Sequence, residues 1–272
     1  MTDRYAVIGN PIAHSKSPYI HREFARQTLQ SLTYEQVLAP LDGFVETVEA
    51  FRVAGGRGLN VTVPFKEQAF ELATSRSARA EAAGAVNTLR FDEKGIYGDN
   101  TDGVGLVRDL RANHGIMLHG TRILLIGAGG AARGVVGSLL GEKPQRLVIA
   151  NRTIEKAHAI AAPFAPAIDV SSYADLAGQR FDVLINATSA SMTGELPPIP
   201  EDVYAHADVA YDMVYGAVPT PFQVHAKQHG CARCFDGLGM LVEQAAESFC
   251  LWRGVRPATK PVLSLLRASL RV

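Results

Sequence analysis

The chain has 272 residues and is 47% hydrophobic, enough for one large or two modest domains with buried cores. Lys plus Arg and Asp plus Glu both number 27, so the formal charge is zero, and neither nucleic acid nor a membrane is an expected partner. No run is apolar and long enough to span a bilayer, no signal peptide is read, and three cysteines make no disulfide framework, so a reduced cytoplasm is expected.

Tyr5–Gly9 reads as a short apolar strand running into a hydroxyl-rich loop, Asn10 to Pro18. Ser17-Pro18 reads as an N-cap and a first-turn proline for a helix to about Leu29. In an open α/β sheet, ligands bind where strands end, so Ser15 and Ser17 are candidate donors to a carboxylate. Equally, Ser17 caps the helix and Ser15 is solvated; His14 reads as a loop residue. A strand over Tyr34–Leu38 and a helix over Leu41–Ala54 follow, with Gly55 to Gly58 ending the helix. Leu59, Val61 and Val63 alternate with Asn60 and Thr62, the period of a strand that Pro64 stops. Lys66 then opens a short helix, placed either to point into a cleft or to lie in solvent.

Glu81–Gly84 closes another helix, Ala85–Leu89 reads as a strand, and Asp92-Glu93-Lys94-Gly95 has hairpin chemistry before Ile96–Gly98. Asp102 opens a helix to about Asn113, as a functional carboxylate or simply as its N-cap. Asn87 is a polar ligand or a turn-facing amide.

Ile123–Ile126 is a wholly apolar run, as expected of a strand buried on both faces of a parallel sheet. Gly127, Gly129 and Ala132 then follow the spacing G-x-G-x-x-[G/A], with a tight turn, close backbone approach to a pyrophosphate, and a helix N-terminus aimed at an anion. A plain strand–turn–helix connection has the same glycines. Regular strand–helix alternation continues to about Gly237, a doubly wound mononucleotide-binding pattern. At the end of the Arg146–Ala150 strand, where NAD-binding domains place an acid for the ribose hydroxyl, stand Asn151, Arg152 and Thr153. Arg152, with Lys156 one turn on, matches a 2′-phosphate and implies NADP; otherwise it is a solvated helix-start residue. Thr188, after the next strand, is placed to line the pyrophosphate or nicotinamide side.

His225, His229, Cys231 and Cys234 form H-x3-H-x-C-x2-C, which invites a zinc reading. The gap between the second His and the first Cys is too short for finger spacing, and no metal is expected. An apolar helix, Leu241–Trp252, and a terminal amphipathic helix, Pro261–Leu270, are expected to pack back on the first domain.

From about Ala6 to Val262 the chain resembles the shikimate dehydrogenase family. The motifs are Gly9-Asn10-Pro11 with Ser15-Lys16-Ser17-Pro18, Asn60 to Lys66, Gly84 to Thr88 and Gly98 to Gly103, then the glycine turn, Asn151-Arg152-Thr153, and Asp236 to Met240 with Gln244. The resemblance implies an N-terminal α/β substrate domain, residues 1–102 completed by 238–272, and a Rossmann-type NADP-binding domain, 103–237. It implies reversible NADP-dependent interconversion of 3-dehydroshikimate and shikimate, on the route to chorismate and aromatic amino acids, by a monomer or homodimer. It assigns Ser15 and Ser17, helped by Tyr215, to the substrate carboxylate, and Asn60, Thr62, Lys66, Asn87, Asp102 and Gln244 to the rest of the substrate, with Lys66 and Asp102 as catalytic pair. Gly127, Ala128, Gly129, Gly130, Ala131, Asn151, Arg152, Thr153 and Lys156 are assigned to the cofactor phosphates, and Met213 and Gly237 to the nicotinamide side. Two places depart from the family pattern: Ser75 to Ala78, where many relatives carry an acid, and Ser191, where a glycine is usual. The alternatives are a quinate/shikimate dehydrogenase, another sugar-acid or cyclitol reductase, and a non-catalytic NADP sensor.

Overall fold

The computed structural model describes residues 2–270. Two compact units form, one from the N-terminus to Gly105 with Val242–Ser264, the other Leu106–Leu241 with the chain from Leu265 onward. The sequence expectation placed all of 238–272 in the first unit. The chain from Leu265 instead groups with the second, where Arg267 grips both oxygens of Asp236.

In the first unit, β1 (Asp3–Gly9) leads through α1 (Ser17–Thr28) to β2 (Leu32–Leu38), and α2 (Phe44–Val53) leads to β3 (Gly56–Val61). Then come α3 (Lys66–Leu72), β4 (Ser75–Arg76), α4 (Ala78–Ala83) and the hairpin β5 (Thr88–Asp92) and β6 (Gly95–Asp99). The sheet order is β2-β1-β3-β5-β6-β4. Its first three strands are parallel, and the β3–β5 and β5–β6 pairs are antiparallel. Ile8, Leu59, Val61, Phe65 and Leu89 are buried in its core.

Gly56 and Gly58, expected to end a helix, lie inside β3. A Cβ on Gly56 would sit 2.3 Å from the Phe51 ring, and one on Gly58 would sit 2.5 Å from the Trp252 indole nitrogen. These glycines make room for aromatic rings. The expected strand at Ala85–Leu89 begins only at Thr88, since the Ala85 and Val86 amides are taken by the Ala80 and Lys66 carbonyls. That leaves Asn87 at the strand entrance with a buried side chain.

Helix α5 (Asp102–Arg108) begins in the first unit and runs into the second, ending in a widened π-type turn over Asp109–Asn113, where a single α-helix was expected. The second unit continues with β7 (Arg122–Ile126), α6 (Gly130–Gly141), β8 (Arg146–Ala150), α7 (Ile154–Ala161), β9 (Asp169–Ser171) and β10 (Val183–Asn186). It closes with β11 (Val209–Asp212), α8 (Pro221–Gln228) and β12 (Arg233–Asp236). All strands are parallel, in the order β12-β11-β10-β7-β8-β9. Ile123, Leu124, Leu125 and Ile126 are wholly buried, because helices cover both faces of a parallel sheet. The order reverses between β7 and β10, which makes that the topological switch point where such sheets bind ligands. The last helices are α9 (Leu238–Arg253) and α10 (Thr259–Ser269), and the part of α9 from Val242 packs within the first unit, with Trp252 donating to the Leu89 carbonyl at 3.0 Å. No helix among the described residues is long and apolar enough to cross a membrane.

Candidate active site

The first unit gathers its polar residues into one connected set. Lys66, on the first turn of α3, places its ammonium 2.6 Å from Asp102 Oδ2. Asp102 opens α5, yet its carboxylate does not cap that helix; the Asp102 amide is instead taken by Asn100 Oδ1 at 3.1 Å. Asn87 Nδ2 donates to Asp102 Oδ1 at 2.8 Å and lies 3.4 Å from Gln244 Oε1. Asn87 Oδ1 accepts from the Thr101 amide at 2.9 Å and from the Thr88 hydroxyl at 2.9 Å. Asn60 Nδ2 donates to Ser248 Oγ at 2.9 Å and to Thr88 Oγ1 at 3.1 Å. Asn60, Asn87, Thr88, Thr101, Asp102 and Ser248 are all buried. A buried amide or hydroxyl holds its position only while its partners are in place, so this set is mutually fixed.

Ser15 and Ser17 occupy the loop after β1 and the start of α1. Ser17 does not act as the N-cap. Lys16 takes that position without a side-chain bond, and Ser17 is buried in the first turn. Its hydroxyl meets the Tyr34 phenol, and burial of that phenol pushes its pKa up despite the bond. Tyr34 donates to Asn60 Oδ1 at 2.7 Å, which ties the serine loop to the Asn60 set. Ser15 Oγ accepts from the Ser17 amide at 3.3 Å and is half-buried. His21 stacks on Tyr34 at 4.2 Å between ring centroids, and burial drives its pKa down to about 3, so it packs as a neutral ring. His14 is exposed. Thr62 is half-buried just past β3, and its methyl lies where a Cβ on Gly9 would fall, at 2.4 Å.

The departure at Ser75 to Ala78 has a structural use. Ser77 accepts from the Ala80 amide as N-cap of α4 and donates to Asp99 Oδ1 at 2.5 Å. Arg79 then grips both Asp99 oxygens, at 2.7 and 2.6 Å. Burial raises the Asp99 carboxyl, but Arg79 and Ser77 outweigh it and hold the pKa below the ordinary value.

In the second unit the expected cofactor residues lie at the C-terminal ends of the strands. Gly127 has φ of +106°, a conformation that favours glycine, and a Cβ there would meet the Thr188 methyl at 2.9 Å. Thr188 is fixed by Asn186 Oδ1, which accepts from its amide at 3.1 Å and its hydroxyl at 2.7 Å. The Met213 amide donates to the Asn186 carbonyl at 2.9 Å, and a Cβ on Gly237 would fall 2.1 Å from the Met213 carbonyl oxygen. Gly127, Thr188, Met213 and Gly237 therefore come together. Ser191, where glycine is usual, donates to Asp212 Oδ2 at 2.5 Å alongside Thr220 at 2.6 Å. Asp212 is wholly buried, and burial raises its carboxyl pKa even against these donors. Tyr215 is half-buried beyond Asp212, with burial raising its phenol.

The residues of this unit fit a dinucleotide. Helix α6 starts at Gly130 with no side-chain cap on its free N–H groups. Gly129 and Gly130 are exposed, and a Cβ on either would meet nothing within 4 Å, so the backbone is open to a phosphate. Ala128 and Ala131 flank them, half-buried. At the end of β8, Asn151 Nδ2 donates to the Thr153 carbonyl at 2.8 Å and shapes the turn. Arg152 and Lys156 are exposed there, and among the described residues neither has an ion-pair partner. Two unneutralised cations beside a strand end suit a 2′-phosphate.

Tyr34 and Ser248 have no motif signal and enter only through tertiary contact, whereas Thr88 and Thr101 lie inside the Gly84 to Thr88 and Gly98 to Gly103 motifs and take their place through the same contacts. The zinc-like motif divides differently from its spelling. Cys231 Sγ donates to the Arg233 carbonyl at 3.8 Å and Cys234 Sγ to the Cys231 carbonyl at 3.5 Å, whereas His225 and His229 cluster with Glu201.

Comparisons with known proteins agree in direction. The family described as "Shikimate dehydrogenase substrate binding domain" matches residues 7–89, "Shikimate / quinate 5-dehydrogenase" matches 110–193, and "Shikimate 5'-dehydrogenase C-terminal domain" matches 237–267. The chain is 60% identical over 272 residues to the shikimate dehydrogenase (NADP(+)) of Nitrosospira multiformis, covering 99% of each chain. Among solved structures, an Ael1 enzyme from Pseudomonas putida is similar with a TM-score of 0.94 at 50% identity, covering 97% of this chain and 98% of that one. Shikimate 5-dehydrogenase from Thermus thermophilus, solved in complex with NADP(H) and shikimate, is similar with a TM-score of 0.89 at 32% identity, covering 99% and 100%.

Proposed function

Because the chain belongs to the shikimate dehydrogenase family, we propose that it interconverts 3-dehydroshikimate and shikimate with NADP as cofactor. The observation that carries the reading is the ion pair of Lys66 with Asp102, braced by Asn87 on the opposite carboxylate oxygen.

Reduction of a ketone builds negative charge on its oxygen, and an ammonium beside that oxygen stabilises the charge and supplies the proton. Lys66 is assigned this role. It is a half-buried cation on a helix start, aimed by Asp102 rather than left to sample solvent. Asp102 keeps the ammonium oriented. Asn60, Thr62, Asn87 and Gln244 are assigned to substrate hydroxyls, and Ser15 and Ser17, with Tyr215, to the carboxylate. Bound NADPH supplies the hydride. The N–H groups at the start of α6 would hold its pyrophosphate, and Arg152 and Lys156 would hold its 2′-phosphate.

The test is a four-way assay: 3-dehydroshikimate and 3-dehydroquinate, each with NADPH and with NADH. The expected outcome is strong preference for 3-dehydroshikimate with NADPH. Faster turnover of 3-dehydroquinate with NADH would make the chain a quinate dehydrogenase, and no turnover of either substrate would leave only a cofactor sensor.

A further inference from the structure

Outside the residues assigned to reaction and cofactor, the described residues of the second unit hold one cluster of metal-ligand type. His225 lies on the last turn of α8 and His229 is that helix's C-terminal cap. The i, i+4 spacing sets both rings on one face, with centroids 4.1 Å apart and the rings tilted by 40°. Glu201, which opens the short 3-10 segment Glu201–His206, brings its Oε2 to 3.6 Å from His229 Nε2. One donor atom from each of the three residues lies within 4.8 Å of the other two.

The ring of His229 is already oriented for ligation. His229 Nδ1 lies 2.9 Å from the His225 carbonyl oxygen. A carbonyl only accepts, so Nδ1 carries a hydrogen and Nε2 is the ring nitrogen that faces Glu201. Zinc-bound histidines are oriented in this way, by a second hydrogen bond from the ring to a carbonyl or carboxylate. The buried Tyr204 ring packs edge-on to His225 at 4.9 Å and keeps it from swinging away.

We propose that Glu201, His225 and His229 form a binding site for a divalent transition-metal ion of the zinc class. Two imidazoles and a carboxylate are the donors such ions prefer, and one donor atom of each already lies within 4.8 Å of the others. The cysteines of the motif take no part, since both thiols are turned to nearby carbonyls. The site lies at the N-terminal ends of β11 and β12, whereas Gly127, Thr188 and Met213 follow the C-terminal ends of parallel strands in the same sheet. A metal here pins the Glu201 segment to α8 and acts on the stability of this unit, not on the reacting groups.

The test uses the untagged full chain, stripped with a chelator and titrated with zinc chloride, alongside His225→Ala, His229→Ala, Cys231→Ser and Cys234→Ser. NADPH-dependent turnover, unchanged in every variant, certifies that each is folded. One zinc per chain is expected below about 100 μM, with a zinc-dependent rise in melting temperature. Partners outside the ligand shell alone are worth about 10–100-fold, so each histidine substitution weakens binding by at least roughly a hundredfold. Both cysteine variants bind as the parent does. Absence of saturable zinc uptake, uptake indifferent to the histidine substitutions, or uptake abolished by the cysteine substitutions would each overturn the proposal.

Discussion

Asn87 donates its side-chain N–H to Asp102 Oδ1 at 2.8 Å, leaving Asp102 Oδ2 to the Lys66 ammonium at 2.6 Å. The carboxylate is held from both sides, so the ammonium has one direction to point. Asn87→Ala removes the amide and leaves Asp102, buried on that side, without its donor. Loss of such a bond costs about 1–3 kcal/mol, so kcat/KM for 3-dehydroshikimate falls roughly ten- to a hundredfold. Steady-state kinetics on a folded variant checks this, and an unchanged kcat/KM would remove Asn87 from the account.

On the proposed reading, Arg152 is the residue that separates the two nicotinamide cofactors. It stands exposed at the end of β8, with no acid among the described residues paired to it. Charge-assisted bonds to a phosphate contribute about 1.5–3 kcal/mol, so Arg152→Ala weakens NADPH binding by roughly ten- to a hundredfold. NADH binding stays as it was. Titration of both cofactors by fluorescence reads the difference, and equal losses for the two would sink the 2′-phosphate assignment.

Gly239 has a packing reason that does not involve the cofactor. A Cβ there would fall 1.9 Å from Asp109 Oδ1, a wholly buried carboxylate that accepts from the Tyr211 hydroxyl at 2.7 Å and Asn113 at 2.8 Å. Neither carboxylate nor helix can retreat without breaking those bonds. Gly239→Ala therefore destabilises by about 1–3 kcal/mol, visible as a lower melting temperature. A variant that melts with the parent would mean that the Asp109 turn yields freely.

The Asp99–Arg79 pair sets an acid-stability signature. Asp99 has its folded pKa lowered from 3.8, burial being outweighed by Arg79 and Ser77. A depressed carboxyl stabilises the fold fully above its unfolded pKa, and the contribution is lost as pH falls through the folded value. Asp99→Asn, which leaves Arg79 facing an amide, costs about 3 kcal/mol at neutral pH. The deficit holds down to about pH 4 and closes below it. Denaturant unfolding of both proteins across this range measures it, and a gap independent of pH would show that the ionised carboxylate is not its source.

Local pattern carried much of this molecule. The glycine turn after Ile126 and the Lys66 helix start are short motifs whose chemistry depends on neighbours in sequence. The buried set around Asn60 is different. Its partner Ser248 lies 188 residues away, and nothing in the period of α9 marks that serine among its polar positions. Gly56 and Gly58 read as helix terminators because glycine commonly ends helices, yet here the demand comes from Phe51 and from Trp252 on a distant helix. Ser17 has the spelling of an N-cap, but its hydroxyl is drawn to Tyr34, a pairing visible only once β2 lies beside β1.

The central claim is that Lys66 acts on the reacting oxygen, and the most direct measurement is NADPH oxidation by the parent and by Lys66→Ala over a range of 3-dehydroshikimate concentrations. Removal of a group that transfers a proton and stabilises developing charge lowers kcat by about 10²–10⁴-fold, with little change in KM. A kcat near that of the parent with a large rise in KM would contradict the account and make Lys66 a binding residue only.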